Sequence, residues 1–317
     1  MMEKIKGAIL SPLAGYTDVA FREICSQLNA YMTVTEMVSA KALYYEDKKT
    51  ASLLEILPHE KRVAVQIFGD DPDIMAEVVR RYFNSSEFAY IDINMGCPAP
   101  KIVKNNCGSA LLAQPDLAYE VMRSVVRAST KPVSVKIRKG IGKVSSMEVA
   151  KLAERAGVSL ITVHGRMREQ YYNGLSDWDY IRDVAQSVSI PVIGNGDIQS
   201  YEDVVSKMEY SGVAGVSIGR GAIGNPFVFD EIYKRSAGLD YSPPGDIDRI
   251  EMAIRQLELT CKYKGERLGI LEMRKQFVGY FKGMKGAKEL RNKINQSSDL
   301  EEIIGMIKDF EDFIIGS

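Results

Sequence analysis

The chain has 317 residues, 45% of them apolar and 26% charged, with a formal net charge of −1. That length gives room for one large domain plus a smaller one, and the near-neutral balance argues against a generally basic nucleic-acid binder. No run approaches the ~20 apolar residues of a membrane-spanning helix. The opening MMEKIKGAIL lacks the long apolar stretch and cleavage site of a signal peptide. Four scattered Cys and two His, His59 and His164, make neither a disulfide framework nor a zinc spacing. The expectation is a cytoplasmic chain without membrane contact or protein-bound metal.

Eight short Val/Ile-rich runs recur, at 9–13, 31–35, 63–68, 90–94, 133–137, 160–164, 191–194 and 215–218. Amphipathic stretches such as 73–83, 115–128, 146–156, 177–187 and 200–210 separate them, several opened by a cap-type residue or by Pro. Short apolar runs of this kind are strands buried on both faces. Eight alternations predict the α/β class and a (β/α)8 TIM barrel, whose usual size is ~250 residues. A doubly wound sheet is the alternative, but no G-x-G-x-x-G follows the first run.

Paired Pro and flanking Gly make 238–245, GLDYSPPG, a linker. Apolar residues at helical spacing then continue to the end of the chain, which predicts a small C-terminal all-α helical domain of about four helices. The expected organisation is a barrel over 1–237, a linker over 238–245 and a helical domain over 246–317. Charge is segregated within that last unit: residues 249–295 hold twelve Lys and Arg against five Glu, whereas 296–317 hold one Lys against six acids. A polyanion contact and a solvated helical surface both fit the basic segment.

In a barrel, function gathers where the strands end. The stretch 90–112, YIDINMGCPAPKIVKNNCGSALL, alternates apolar and polar residues and then breaks at Gly96, Cys97 and Pro98, so that a thiol sits just past a strand with Asn94 and Lys101 beside it. A lone intracellular Cys is more often a small buried hydrophobe; its place on a polar turn singles out Cys97. Cys107, followed by a packing-like run, reads as structural, and Cys25 and Cys261 as core.

The last two strand ends carry Gly194 to Asp197 and Gly219 to Asn225, small residues whose N–H groups can converge on an anion, with Arg220 as a bidentate partner. Loops after strands 7 and 8 are the usual phosphate site of barrels, so a phosphorylated ligand is expected. Lys136 suits a cofactor whose reduced form is an anion, such as a flavin, although a substrate carboxylate or a Schiff base would also fit a Lys there. Gln66 can bond a heterocycle edge and His164 offers a donor. The loop after His164, with two Arg and two Tyr, fits phosphate contacts and base stacking, and equally a protein interface.

With SPLAGYTDVAFR at 11–22, NMGCP at 94–98 followed by Lys101 and Gly108, VKIR at 135–138, His164-Gly165-Arg166 with Arg168, Asn195-Gly196-Asp197 and Gly219-Arg220, the chain resembles the tRNA-dihydrouridine synthases. These are flavin-dependent TIM-barrel enzymes with a C-terminal helical RNA-binding domain. Carried over by position, the resemblance implies that Pro12, Leu13, Ala14, Gln66, Lys136, His164, Asn195, Gly196, Asp197, Gly219 and Arg220 hold FMN. It makes Cys97 the catalytic proton donor and Asn94 the holder of the target uracil, with Lys101, Arg166 and Arg168 as substrate contacts. The implied reaction is reduction of the C5=C6 bond of specific uridines in tRNA, with hydride passing from N5 of FMN to C6, a proton from Cys97 to C5, and NADPH as reductant. Leu13 stands where Met is common and Met167 where Thr is common, and the helical domain carries no matching motif. The implied partners are tRNA and NADPH, with no protein partner.

Overall fold

The computed structural model describes residues 7–316; residues 1–6 of the expected barrel unit and residue 317 of the helical one lie outside that range. Eight strands form where the eight runs predict them: β1 (Ala8–Leu10), β2 (Met32–Val34), β3 (Val63–Phe68), β4 (Tyr90–Met95), β5 (Val133–Ile141), β6 (Leu160–Met167), β7 (Val192–Asn195) and β8 (Gly215–Ile218). Each pairs in parallel with its neighbour in sequence, and β8 pairs with β1, so the sheet closes. The chain is a (β/α)8 barrel.

A helix follows each strand: α1 (Val19–Gln27), α2 (Ala40–Tyr44), α3 (Pro72–Val78), α4 (Pro115–Ala128), α5 (Met147–Ala156), α6 (Trp178–Ser187), α7 (Tyr201–Ser211) and α8 (Val228–Ser236). Local chemistry starts them. Asp18, Asp71, Asp177 and Ser200 accept N–H groups of the first turns of α1, α3, α6 and α7, and α3 and α4 open with Pro.

Side chains alternate across the wall. Outward residues such as Val65, Ile67, Ile91, Ile93 and Val135 join Met75, Val121, Met122 and Val149 of the helices in one buried core. The inward set changes character along the strands. Ile9, Ala64, Leu160 and Ile193 belong to an inner apolar layer with Met32 and Val34. Two residues further on, facing the same way, stand Ser11, Gln66, Thr162 and Asn195, all buried. The barrel is thus plugged with hydrocarbon at one end and lined with polar groups at the other.

β5 and β6 run past their expected ends. The extension of β5 passes a register shift between Arg138 and Gly140 and turns back through a two-residue strand, Val144–Ser145, antiparallel to it. Ser146 fastens this hairpin, its hydroxyl donating to the carbonyl of Arg138 at 2.5 Å and its N–H to that of Lys139 at 3.0 Å. The wall is therefore taller on the side that carries Arg138 and Arg166.

After α8, residues 239–245 form neither helix nor strand, and four helices follow: α9 (Asp246–Lys264), α10 (Glu266–Tyr280), α11 (Ala287–Ile294) and α12 (Leu300–Ile315). They enclose a second apolar core of Leu257, Phe277, Phe281, Leu290, Ile307 and Phe310 among others. Their seat on the barrel is tight where Gly224, at φ +63°, meets Gly279: a Cβ on Gly279 would stand 2.9 Å from the Cα of Gly224.

Candidate active site

A cavity of about 980 Å³ opens at the polar end of the barrel, lined by strand ends all round the ring and, on one side, by Arg249, Gly279 and Lys282 of the C-terminal helices. Its chemistry is set by three groups of residues.

The first is the Cys97 turn. Asn94, 7% exposed on the inner face of β4, accepts the N–H of Gly96 at 3.1 Å and of Cys97 at 2.9 Å through Oδ1. The carbonyl of Cys97 accepts from Ser109 N–H at 3.1 Å and Ser109 Oγ at 2.8 Å. Gly108, at φ +62°, lets the chain pass so close that a Cβ there would be 3.0 Å from that of Cys97. The thiol is half-buried in the cavity wall, and desolvation pushes its pKa up despite the opposing pull of Arg138 and Lys136. It holds its proton at neutral pH.

The second is a polar network in the barrel's throat. Gln66 donates to Asp92 Oδ2 at 2.7 Å and accepts from Asn94 Nδ2 at 2.8 Å, and Ser134 donates to Asp92 Oδ1 at 2.6 Å. Beside them Lys136 donates to Asn195 Oδ1 at 3.2 Å, its only hydrogen bond among the described residues. Asn195 is itself fixed by bonds to Ser217 O at 2.7 Å and Ser11 Oγ at 3.1 Å. Desolvation, reinforced by Arg138, lowers the Lys136 pKa to about 8. The throat therefore presents a cation with spare protons and a weakened hold on its charge.

The third is the phosphate-type corner. Arg166, 1% exposed, donates from Nη2 to both carboxylate oxygens of Asp197 at 2.6 and 2.9 Å and to Gly174 O at 2.7 Å. Its Nη1 lies 3.1 Å from His164 Nε2. A guanidinium only donates, so Nε2 accepts and Nδ1 carries the imidazole proton. Desolvation and the surrounding cations hold His164 far below the usual range, so the ring is neutral. Gly196 at φ +125° and Asp197 at φ +53° turn the chain here, and partial burial of Asp197 is outweighed by Arg166, which keeps its carboxyl ionised. The short 3-10 turn Arg220–Ala222 begins beside it, leaving its first N–H groups without intrahelical partners. The Arg220 guanidinium lies 4.9 Å from the Tyr172 ring.

The C-terminal helices hold two mouth loops. Gln276, 3% exposed, donates to Tyr16 O at 3.3 Å and accepts from Gly224 N–H at 3.2 Å. Lys275 donates to Gly15 O at 3.1 Å. Lys264 pairs with Asp18 at 3.1 Å, Glu36 at 3.8 Å and Glu272 at 2.5 Å, and Glu36 in turn accepts the Gly15 N–H at 2.5 Å.

Of the residues singled out in the sequence, Pro12, Leu13, Ala14, Gln66, Asn94, Cys97, Lys136, His164, Arg166, Asn195, Gly196, Asp197, Gly219 and Arg220 all border this one cavity. Lys101 and Arg168 do not: Lys101 is exposed on the turn Pro100–Lys104, and Arg168 lies 3.7 Å from Glu169. Cys25, Cys107 and Cys261 are buried, Cys107 with its thiol pushed up to about 12 by desolvation and Asp70. Sequence reasoning gave no role to Arg138, which donates to Gly96 O at 2.8 Å and Tyr171 O at 2.8 Å and so ties the Cys97 turn to the 168–174 loop. It also missed Gln276. The VKIR motif pointed at Arg138; nothing in the sequence marked Gln276.

Fold and site together define a (β/α)8 barrel whose mouth combines a protonated thiol with a cation-rich cavity suited to an anionic ligand. The dihydrouridine synthase (Dus) family model matches residues 9–314, and the chain belongs to that family. A probable tRNA-dihydrouridine synthase of Treponema pallidum is 36% identical over 96% of this chain and 93% of its own length. A tRNA-dihydrouridine synthase B of Pseudomonas aeruginosa is 36% identical over 95% and 92%. Among solved structures, 6-hydroxypseudooxynicotine amine oxidase of Pseudomonas geniculata matches with TM-score 0.56 at 13% identity, over 73% of this chain and 47% of that one. Histamine dehydrogenase of a Rhizobium species matches with TM-score 0.54 at 14% identity, over 80% and 48%. These two share the fold.

Proposed function

We propose that this protein is a tRNA-dihydrouridine synthase that reduces the C5=C6 bond of uridines in tRNA, with FMN as its cofactor and NADPH as electron donor. The observation that carries the reading is the Cys97 thiol, held protonated in the wall of the same cavity that contains Lys136 and the phosphate-type corner.

The donor set suits FMN. Lys136 has protons to spare for an electron-rich ring, the neutral His164 offers Nδ1–H, and the N–H groups of Gly219 to Gly221 with Arg220 suit a phosphate monoester. Gln66 and Asn195 contribute mainly by fixing their neighbours, since their amides are engaged within the protein. When bound, FMN supplies the hydride that is added to C6 of the uracil.

The chain's own residues do the rest. Cys97 gives its proton to C5, and the thiolate left behind is stabilised by Arg138 and Lys136 until solvent reprotonates it. Asn94 holds the turn from which the thiol acts, and Arg138 links that turn to the Tyr171 and Tyr172 loop against which an extruded base can stack. Residues 1–237 would be the catalytic domain and 246–317 the tRNA-binding domain, with Arg249 and Lys282 at the rim where the RNA backbone enters.

Purified protein supplied with FMN, NADPH and unmodified tRNA should form dihydrouridine, seen by mass spectrometry as two added hydrogens per modified uridine. A protein that binds FMN and forms none under these conditions contradicts the proposal.

A further inference from the structure

Asp92 and Ser134 face into the barrel from register partners on β4 and β5, one layer beneath the cavity. Both are buried and neither borders the cavity. The Asp92 carboxylate accepts on both oxygens, from Ser134 Oγ at 2.6 Å and from Gln66 Nε2 at 2.7 Å. Because a carboxylate offers no proton, Gln66 must turn its NH2 to Asp92 and its carbonyl oxygen to Asn94. That oxygen accepts Asn94 Nδ2 at 2.8 Å, which leaves Asn94 Oδ1 for the N–H groups of Gly96 and Cys97. A flipped Gln66 would set NH2 against NH2 at Asn94 and acceptor against acceptor at Asp92, so no member of the run can turn alone.

The same carboxylate supports a cation. Desolvation pushes the Asp92 carboxyl up while Ser134, Gln66 and Lys136 pull it down. Against desolvation and Arg138, Asp92 in turn favours the charged form of Lys136. Order and charge are separable, because an amide in place of the carboxylate could accept from Gln66 and donate to Ser134 Oγ while carrying no charge.

We infer that Asp92 is a positioning residue for the thiol step: it orders the amides of Gln66 and Asn94 and, through them, holds the Cys97 turn from beneath the cavity. The inference rests on the proposed function for the step it serves, not for the relay of hydrogen bonds.

The test uses the full chain loaded with FMN. Stopped-flow reoxidation of the reduced enzyme across tRNA concentrations compares D92V, which loses order and charge, with D92N, which loses charge alone. At saturating unmodified tRNA, D92V should be slower than the wild type by about tenfold and D92N by about twofold at most, with the half-saturating concentration unchanged. Bleaching by NADPH should change alike in the two variants, since both withdraw the charge beside Lys136. Alkylation of Cys97 by iodoacetamide, followed by mass spectrometry of its peptide, reports on the turn without RNA. It should quicken by about threefold or more in D92V and keep the wild-type rate in D92N. Where D92V does not fold, S134V replaces it: loss of one of the two donors that fix the carboxylate should slow reoxidation by tRNA about threefold. Equal slowing in D92N and D92V overturns the inference, because charge would then be the whole effect. Wild-type reoxidation by tRNA in folded D92V, or in S134V used in its place, also overturns it. Alkylation that quickens in D92V alone, in a chain whose wild type makes no dihydrouridine, upholds the relay and refutes the proposed function instead.

Discussion

The amide oxygen of Asn94 accepts the backbone N–H of Cys97 at 2.9 Å, so the last inward side chain of β4 sets where the thiol stands. Asn94→Ala removes that acceptor and the one for Gly96 while leaving the thiol present. Single-turnover reduction of tRNA should slow by about 100-fold, the lower range for a displaced general acid. Flavin content should be unchanged, and an equal loss of flavin would show that Asn94 serves the cofactor instead.

Lys136 gives a pH-dependent stability effect of definite sign. Its pKa of about 8 in the folded chain lies below its value in the unfolded one. The unfolded state therefore binds more protons between about 8 and ~10.4, so the cost of the charge is full at neutral pH and fades as pH rises through that window. Ligand-free K136M should be more stable than the wild type by about 1 kcal/mol at neutral pH, with the gap closing towards pH ~10. Urea titrations across that range measure it. The same variant should retain FMN at least about tenfold more weakly, since it loses the charged donor.

Gln276 joins the loops after β1 and β8 to α10 through the buried N–H of Gly224 and the part-buried carbonyl of Tyr16. Gln276→Leu leaves the buried N–H unpaired, which costs about 1–3 kcal/mol. If the bonds shape the mouth as well as the seat, the FMN dissociation constant should rise in the folded variant, read by fluorescence titration below its unfolding midpoint. A stability loss with unchanged FMN affinity would confine Gln276 to domain docking.

Much of this was legible in the sequence because barrel strands announce themselves as short apolar runs and because the fold dictates which end of each run carries chemistry. The Cys97 turn was visible as a broken alternation, and the two glycine-rich loops as paired turns at the positions where barrels bind phosphate. What stayed hidden depends on long-range pairing. Asp92 looked like one polar residue of an alternating strand, yet it anchors both Gln66 and Ser134. Asn195 read as a cofactor ligand and proves to be tied to Ser217, Ser11 and Lys136. Counting charge along the chain also overstated the free cations of the helical unit, because Lys264 is held by three carboxylates and Lys275 by Gly15.

The most direct test of the central claim is a pair of stopped-flow measurements on FMN-loaded C97A. Bleaching by NADPH should proceed at the wild-type rate, because the thiol has no part in it. Reoxidation of the reduced enzyme by unmodified tRNA should fall by about 100-fold or more. Wild-type reoxidation by tRNA, or loss of both half-reactions together, would contradict the role assigned to Cys97.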